Sequence, residues 1–183
     1  MKRNLDGFIL AINGVALFIG VPLCILILPF LAGLSGSAMR VTATTGVIVG
    51  LVLALEYQVV YAIYLRKVKW FLGRLEDGGD VDENEFLIMC RRVYNLPVIC
   101  AIHMFLHFVV GVSVVAVVVH IVAGVSWSAL AIGIAEGVVV GGMVGILGYL
   151  MGVRILSSPL SFLVEKGMDV YSCLLYTSPS PRD

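Results

Sequence analysis

Residues Leu96–Ala123, LPVICAIHMFLHFVVGVSVVAVVVHIVA, contain no Lys, Arg, Asp or Glu. The run is longer than the roughly 20 residues that cross the hydrocarbon core of a bilayer, which is about 30 Å thick. In lipid such a run must be helical, because every backbone N–H and C=O group needs a partner within the segment. The stretch therefore predicts a transmembrane helix.

Three further apolar runs lie at about residues 8–34, 41–65 and 127–153. The whole chain is 60% hydrophobic and 13% charged, with a mean hydropathy of +1.05, whereas a soluble domain is nearer half apolar and a quarter charged. The pattern predicts an all-α, polytopic membrane protein, a bundle of four transmembrane helices arranged as two helical hairpins. Pro22 and Pro29 are expected to kink the first helix. That first run is also longer than the apolar core of a cleaved signal peptide.

The distribution of basic residues predicts the orientation. Lys and Arg are concentrated at the start of the chain, in segment 66–95 and after residue 153. The two short turns between paired runs hold none, apart from Arg40 at the edge of the first. We therefore expect both termini and segment 66–95 to be cytoplasmic, in the inner membrane of a bacterium.

The chain divides into five segments on this interpretation. They are a first transmembrane hairpin (1–65), a cytoplasmic connector (66–95), a second transmembrane hairpin (96–153), a juxtamembrane helix (154–171) and a tail (172–183). Within the connector, Gly78 and Gly79 should break the basic extension of the second helix. Asp80 or Asp82 can then cap a short helix that runs through Arg91.

Four ionisable residues inside the predicted spans are the candidate functional residues: Glu56, His103, His107 and Glu136. A charge at the bilayer centre costs at least about 2.5–3.5 kcal/mol, so each of these residues is a functional candidate. At 1.5 Å per residue, Glu56 and His107 lie at similar depths, roughly 13 Å and 15 Å from the inner ends of their helices. We expect these two to pair, with His103 on the same helix face as His107.

Two interpretations of these residues stay open. They could sense a proton, a metal ion or a small ligand, or they could form a polar clamp in which a neutral His and a protonated Glu lock the bundle. No cofactor is expected, and no metal ligand set is assigned. The four cysteines form no CxxC pair, so a cysteine zinc site is not indicated. The net charge is zero, which does not suggest a nucleic-acid partner.

Glycines repeat every four residues along the fourth run, and two more stand in the second. They are Gly133, Gly137, Gly141 and Gly145, with Gly46 and Gly50. Small residues at this spacing let helix backbones approach closely. The ladder could serve packing within the bundle or dimerisation through the fourth helix.

A heptad seam follows the fourth run. Leu156, Leu160, Leu163, Gly167 and Val170 alternate in steps of four and three, with Pro159 near the first turn. This seam resembles the entry helix of a HAMP domain, a parallel dimeric coiled coil that relays signals from membrane helices. The resemblance implies a homodimer through the fourth and juxtamembrane helices. An ordinary amphipathic juxtamembrane helix is the alternative.

The junction into the third run carries a second resemblance. Arg91-Arg92-Val-Tyr-Asn95-Leu96-Pro97 is similar to the RRxxNLP junction in the membrane modules of some bacterial class III adenylate/guanylate cyclases. The arginines can hold headgroup phosphates, Asn95 can cap a helix, and Pro97 fits a first helical turn. In that family a HAMP domain and a cyclase domain follow the membrane region. No cyclase catalytic residue is present in this chain.

The expected function is therefore a membrane sensor or anchor module of a bacterial signal-transduction protein. It would relay a signal through a HAMP-like helix to a cytoplasmic effector, for which the resemblance implies a nucleotide cyclase. A small proton- or ion-coupled transporter or channel and a structural membrane anchor are the alternatives. The ending Cys173–Asp183 resembles a translated sequencing adapter, so we expect the natural protein to continue past about Tyr171.

Overall fold

The computed structural model describes residues 2–167, and these residues form helices joined by short turns without any strand. The helices are α1 (Lys2–Val15), α2 (Val21–Leu31), α3 (Gly36–Glu76), α4 (Glu83–Ala123) and α5 (Trp127–Glu165). A π-helical turn, Ala16–Gly20, joins α1 to α2. Val170 of the heptad seam and the tail 172–183 lie outside the described residues.

Four spans, Leu5–Leu31 and the three long helices, are long and apolar enough to cross a membrane. Large apolar side chains also cover the outside of the bundle, among them Leu55 (67% exposed), Ile102 (55%) and Ile146 (63%). An apolar surface of this extent is costly in water and favourable in lipid. The chain thus has the four helices and the outer surface of a multi-pass membrane protein.

The π-helical turn lies just before Pro22, which the sequence predicts to kink the first helix. Pro22 has no N–H group and its ring would clash with the carbonyl four residues earlier, which is Phe18 within the turn. A π-turn widens the helix locally and relieves this conflict. Pro29 lies inside α2.

The connector is one helical hairpin, the continuation of α3 and the beginning of α4 around a turn at residues 77–82. We expected a separate short helix before Asn95, and this expectation is corrected because α4 runs unbroken from Glu83 to Ala123. Val93, Leu96 and Pro97 are all buried on one face of α4. Continuous packing of that face holds the helix together through the proline. Asn95 therefore caps nothing, and Pro97 lies well inside the helix.

The main core lies at the end of the bundle that holds this hairpin, which we call the connector end. The start of α1 and the end of α5 reach the same end, since Leu5 and Leu163 belong to one buried cluster with Leu72. Two ion pairs tie the helices together there, Lys69 with Asp6 and Arg74 with Glu85. A smaller cluster of Leu28, Ala38, Val115 and Val119 closes the opposite end.

The glycine ladder lies at the most extensive helix contact among the described residues, between α5 and α4. A Cβ atom on Gly141 would lie 2.9 Å from the carbonyl oxygen of Phe105, and one on Gly145 would lie 3.0 Å from that of Ala101. Gly133 and Gly137 similarly face Ala116 and Val112 of α4. These four glycines therefore allow close packing between α5 and α4 within one chain. On α3, Gly46 and Gly50 face Ile25 and Val21 of α2.

Candidate functional site

Three of the four predicted ionisable residues meet at the contact between α3 and α4. Glu56 of α3 faces two histidines of α4, with its Oε2 atom 3.0 Å from His107 Nε2 and its Oε1 atom 3.7 Å from His103 Nε2. The two imidazole rings are one helical turn apart, with centroids 4.1 Å from each other. The carboxylate thus reaches both histidines, and the contact with His107 is the one that the matching depths predict.

Two tyrosines of α3 hold the histidines in place. The Tyr61 hydroxyl lies 3.3 Å from His103 Nδ1, within hydrogen-bond distance. The ring of Tyr57 stacks on His103, with centroids 5.1 Å apart, and on Tyr61, with centroids 4.3 Å apart. Both tyrosines are buried, whereas Glu56 is 43% exposed. The cluster is therefore packed against the protein on its inner side and exposed on its outer side.

A mostly apolar cavity of about 70 Å³ adjoins the inner side of this cluster. It lies between the first span, α3 and α4, and His107, Tyr57 and Asn13 are among its lining residues. The Asn13 amide and the Tyr57 hydroxyl are buried without a hydrogen-bond partner among the described residues. Apart from Thr42 and Cys24, the rest of the lining is apolar, so the described residues offer few polar groups along this space.

Glu136 of α5 does not join the cluster. Its side chain is 5% exposed, and neither carboxyl oxygen has a hydrogen bond of acceptable geometry among the described residues. The backbone of Leu28 in α2 and the side chain of Cys24 are its electrostatic neighbours. Among residues 2–167 no cationic side chain is paired with it, so this carboxyl lies in an apolar setting.

The junction motif lies on α4 near the connector end. Arg91 is exposed, while the guanidinium group of Arg92 lies 6.0 Å from the ring of Tyr64. Asn95 is half-buried, and Pro97 packs against the position of Gly152 on α5. Arg91 is therefore free to reach an anionic surface, and Pro97 contributes to helix packing.

The HAMP-like residues form the last part of α5, which has no break at Pro159. Leu156 and Leu163 are completely buried in the main core, Pro159 is buried, and Leu160 is half-buried. The seam belongs to one buried cluster with residues of α1 and of the connector hairpin. Along its length, α5 contacts α4 and α1 directly.

Tyr57, Tyr61 and Asn13 are the site residues that the sequence argument missed. Tyr57 and Tyr61 are four residues apart, and Tyr57 directly follows Glu56. Hydroxyl groups at helical spacing beside an intramembrane acid could have indicated partners for the histidines. Asn13 is the one amide within the first apolar run, and a buried amide in such a run is a comparable signal.

Chemically, the cluster offers one carboxylate and two imidazoles, a set that can exchange protons or coordinate a cation.

The chain matches no protein-family model, no curated protein and no solved structure.

Proposed function

We propose that this chain is the membrane input and anchoring module of a bacterial signalling protein. It would lie in the inner membrane with both termini in the cytoplasm, as the basic flanks favour. The observation that carries the proposal is the continuity of α5 from Trp127 through the apolar span to Glu165. At 1.5 Å per residue this helix is about 58 Å long, nearly twice the thickness of a hydrocarbon core. Such a helix can transmit a displacement within the membrane to the cytoplasmic side.

The packing of α5 supports a relay role. Its glycine ladder contacts α4, which carries His103 and His107. Its last turns belong to the same buried cluster as Leu72 of α3, and Phe86 of α4 packs against that cluster. A change at the Glu56 cluster that moves α3 relative to α4 would therefore shift the surface on which α5 rests.

A relay also needs an element with two arrangements. The seam of Leu156, Leu160 and Leu163 supplies a candidate, because it packs within one chain here but has the heptad spacing of a dimeric coiled coil. In the proposed cycle, the seam leaves its packing in the chain's own core and packs instead against the same seam of a second copy. The resemblance to class III cyclase modules favours a nucleotide cyclase as the effector.

The gene provides the first test. We expect the natural reading frame downstream of Val170 to encode more coiled coil and then a soluble effector domain. An authentic stop codon directly after this position would overturn the proposal, since no effector would exist for α5 to control.

A fusion separates signalling from simple anchoring. The chain, joined in frame after Gly167 to a class III cyclase domain, should give a cyclic-nucleotide output that changes by several-fold in Glu56→Gln. Gly142→Ala is the matched control, because a Cβ atom there would meet nothing within 4 Å. If Glu56→Gln lowers the stability of the fusion but leaves the output per folded molecule unchanged, the chain is an anchor.

A proton-coupled transporter is the second candidate, favoured by the partly exposed carboxylate beside two histidines. Reconstituted protein should then carry a proton flux that is lost in Glu56→Gln. The apolar lining of the adjoining cavity argues against an open water-filled path. Liposomes without flux in the unmodified protein would dismiss this candidate.

A further inference from the structure

The geometry points to a binding site for a divalent transition-metal ion of the zinc class, formed by Glu56, His103 and His107. This inference is independent of the signalling proposal, because it concerns binding alone. One atom from each residue (a carboxylate oxygen and two imidazole nitrogens) can be chosen so that all three lie within 4.8 Å of one another. No cysteine takes part.

The spacing of these atoms suits a common centre. Around a tetrahedral zinc ion with bonds of about 2.0–2.2 Å, ligand atoms lie roughly 3.3 Å apart. The Glu56 Oε2 atom lies 3.0 Å from His107 Nε2, and its Oε1 atom lies 3.7 Å from His103 Nε2. With one ligand atom taken from each residue, every separation is at most 4.8 Å. Side-chain rotations that draw the three atoms together would bring them to bonding positions.

Tyr61 is a positioning residue that orients His103 for a metal. Its hydroxyl lies 3.3 Å from His103 Nδ1. When Nδ1–H donates to this hydroxyl, His103 Nε2 keeps the lone pair that a metal ion requires. Histidine ligands of metals almost always have such a partner on the other ring nitrogen. The stacked ring of Tyr57 further fixes the plane of His103.

The ligand set selects the class of ion. Two imidazoles and one carboxylate suit zinc and its neighbours in the first transition row, whereas Mg²⁺ and Ca²⁺ prefer sites built from oxygen ligands. Three protein ligands leave a fourth position of the tetrahedron for water or a ligand.

An ion bound here would join α3 directly to α4. It would also satisfy the three polar side chains in an otherwise apolar belt, where Leu55, Ile102 and Leu106 are all exposed. The site therefore has a structural consequence that a binding experiment can register as a gain in stability.

The test uses the full chain, purified in detergent micelles with an affinity tag that contains no histidine. Binding is measured by competition between the protein and a chromophoric chelator for Zn²⁺, and by the visible absorption of Co²⁺. We expect one ion per chain and the intense absorption bands of tetrahedral cobalt, together with a higher thermal midpoint when Zn²⁺ is present. These readouts need no variant. Sub-stoichiometric binding with an octahedral cobalt spectrum would overturn the inference.

Variants then assign the ligands. Glu56→Gln and His107→Ala should abolish the cobalt bands, and Tyr61→Phe should weaken Zn²⁺ binding by about 10–100-fold. His120→Ala is the control, because His120 lies on the same helix but its Nδ1 atom bonds the Val125 carbonyl. Helix content and gel-filtration profiles check that each variant folds. Unchanged binding in folded Glu56→Gln and His107→Ala, or equal loss in His120→Ala, would place the ion elsewhere and contradict the assignment.

Discussion

His107 Nε2 lies 3.0 Å from Glu56 Oε2, and this contact joins α4 to α3 between two surfaces that are otherwise apolar. Neither group alone is compatible with a hydrocarbon surrounding, because an unpaired charge or polar group there is costly. Together they satisfy each other, and His103 and Tyr61 extend the network on its inner side. The contact thus provides both a lock between two helices and the chemistry of the site.

The first prediction concerns the strength of this lock. A double-mutant cycle of Glu56→Ala and His107→Ala should give a coupling free energy of about 0.6–1.7 kcal/mol, from the average to the maximum of such couplings between membrane helices. The measurement is reversible unfolding in mixed detergent micelles without added metal, followed by circular dichroism.

A second cycle supplies the control for this coupling. Glu56→Ala combined with His120→Ala should be additive within about 0.3–0.5 kcal/mol, because His120 is bonded to Val125 near the end of α4. A coupling as small as this in the Glu56–His107 cycle would mean that the contact contributes nothing to the fold.

The second prediction concerns the glycine ladder. Gly141→Ala would place a Cβ atom 2.9 Å from the backbone oxygen of Phe105, which cannot move without moving α4. We expect a loss of about 1–3 kcal/mol in the free energy of unfolding, as for other overpacked contacts. The neighbouring Gly142→Ala meets nothing within 4 Å and should be neutral or slightly stabilising, because alanine favours the helix. Equal effects at the two positions, measured by the same unfolding assay, would contradict the packing described for α5.

The broad architecture could be predicted from sequence because lipid-sized apolar runs admit few structures. Four runs separated by two short turns and one long connector already indicate two helical hairpins, and the four long apolar helices agree with this. Depth along a straight helix depends only on rise per residue, so the matching depths of Glu56 and His107, which meet in the structure, follow from counting.

Other features depend on tertiary contacts that counting does not reveal. The beginning of α4 continues through Asn95 because Val93 and Leu96 are buried in a core made by three other parts of the chain. Tyr61 is the hydrogen-bond partner of His103 Nδ1. Its angular position around the axis of α3 decides whether it faces the histidine or the lipid. Glu136 lies in an apolar environment, as its sequence neighbours suggest. Its distance from the Glu56 cluster, however, depends on how α5 is rotated against α4.

The third prediction concerns the beginning of α4. The Asp82 carboxylate accepts hydrogen bonds from the backbone N–H groups of Asn84, at 3.1 Å, and Glu85, at 3.3 Å. Asp82→Ala should destabilise this helix end by about 1 kcal/mol. Hydrogen exchange measured by mass spectrometry should then be about fivefold faster in the first turn of α4.

Asp80→Ala is the matched control for the cap. The backbone carbonyl of Asp80, and not its carboxylate, receives the hydrogen bond from Arg74. Exchange in the first turn should therefore stay unchanged in this variant. Faster exchange in both variants would assign the effect to lost negative charge near the helix end and not to capping.

The fourth prediction concerns the orientation in the membrane. In a cysteine-free background, Asp77→Cys at the connector end and Ser128→Cys at the start of α5 are both exposed positions. With the proposed topology, a membrane-impermeant maleimide should label Ser128→Cys in intact spheroplasts and should label Asp77→Cys after the membrane is opened. Labelling of both in intact spheroplasts, or of Asp77→Cys alone, would contradict cytoplasmic termini.

The last prediction concerns the seam at the end of α5. Leu163 is completely buried in the chain's own core, whereas its neighbour Val164 is 49% exposed. Leu163→Ala should therefore lower the free energy of unfolding by about 2–5 kcal/mol, the usual loss for a buried leucine, at protein concentrations where the chain is monomeric. Val164→Ala should change it by less than about 0.5 kcal/mol, as for surface positions. If the loss in Leu163→Ala appears only at concentrations that support a dimer, the seam belongs to an interface between copies. The packing within the chain's own core would then be the less populated of the two proposed arrangements.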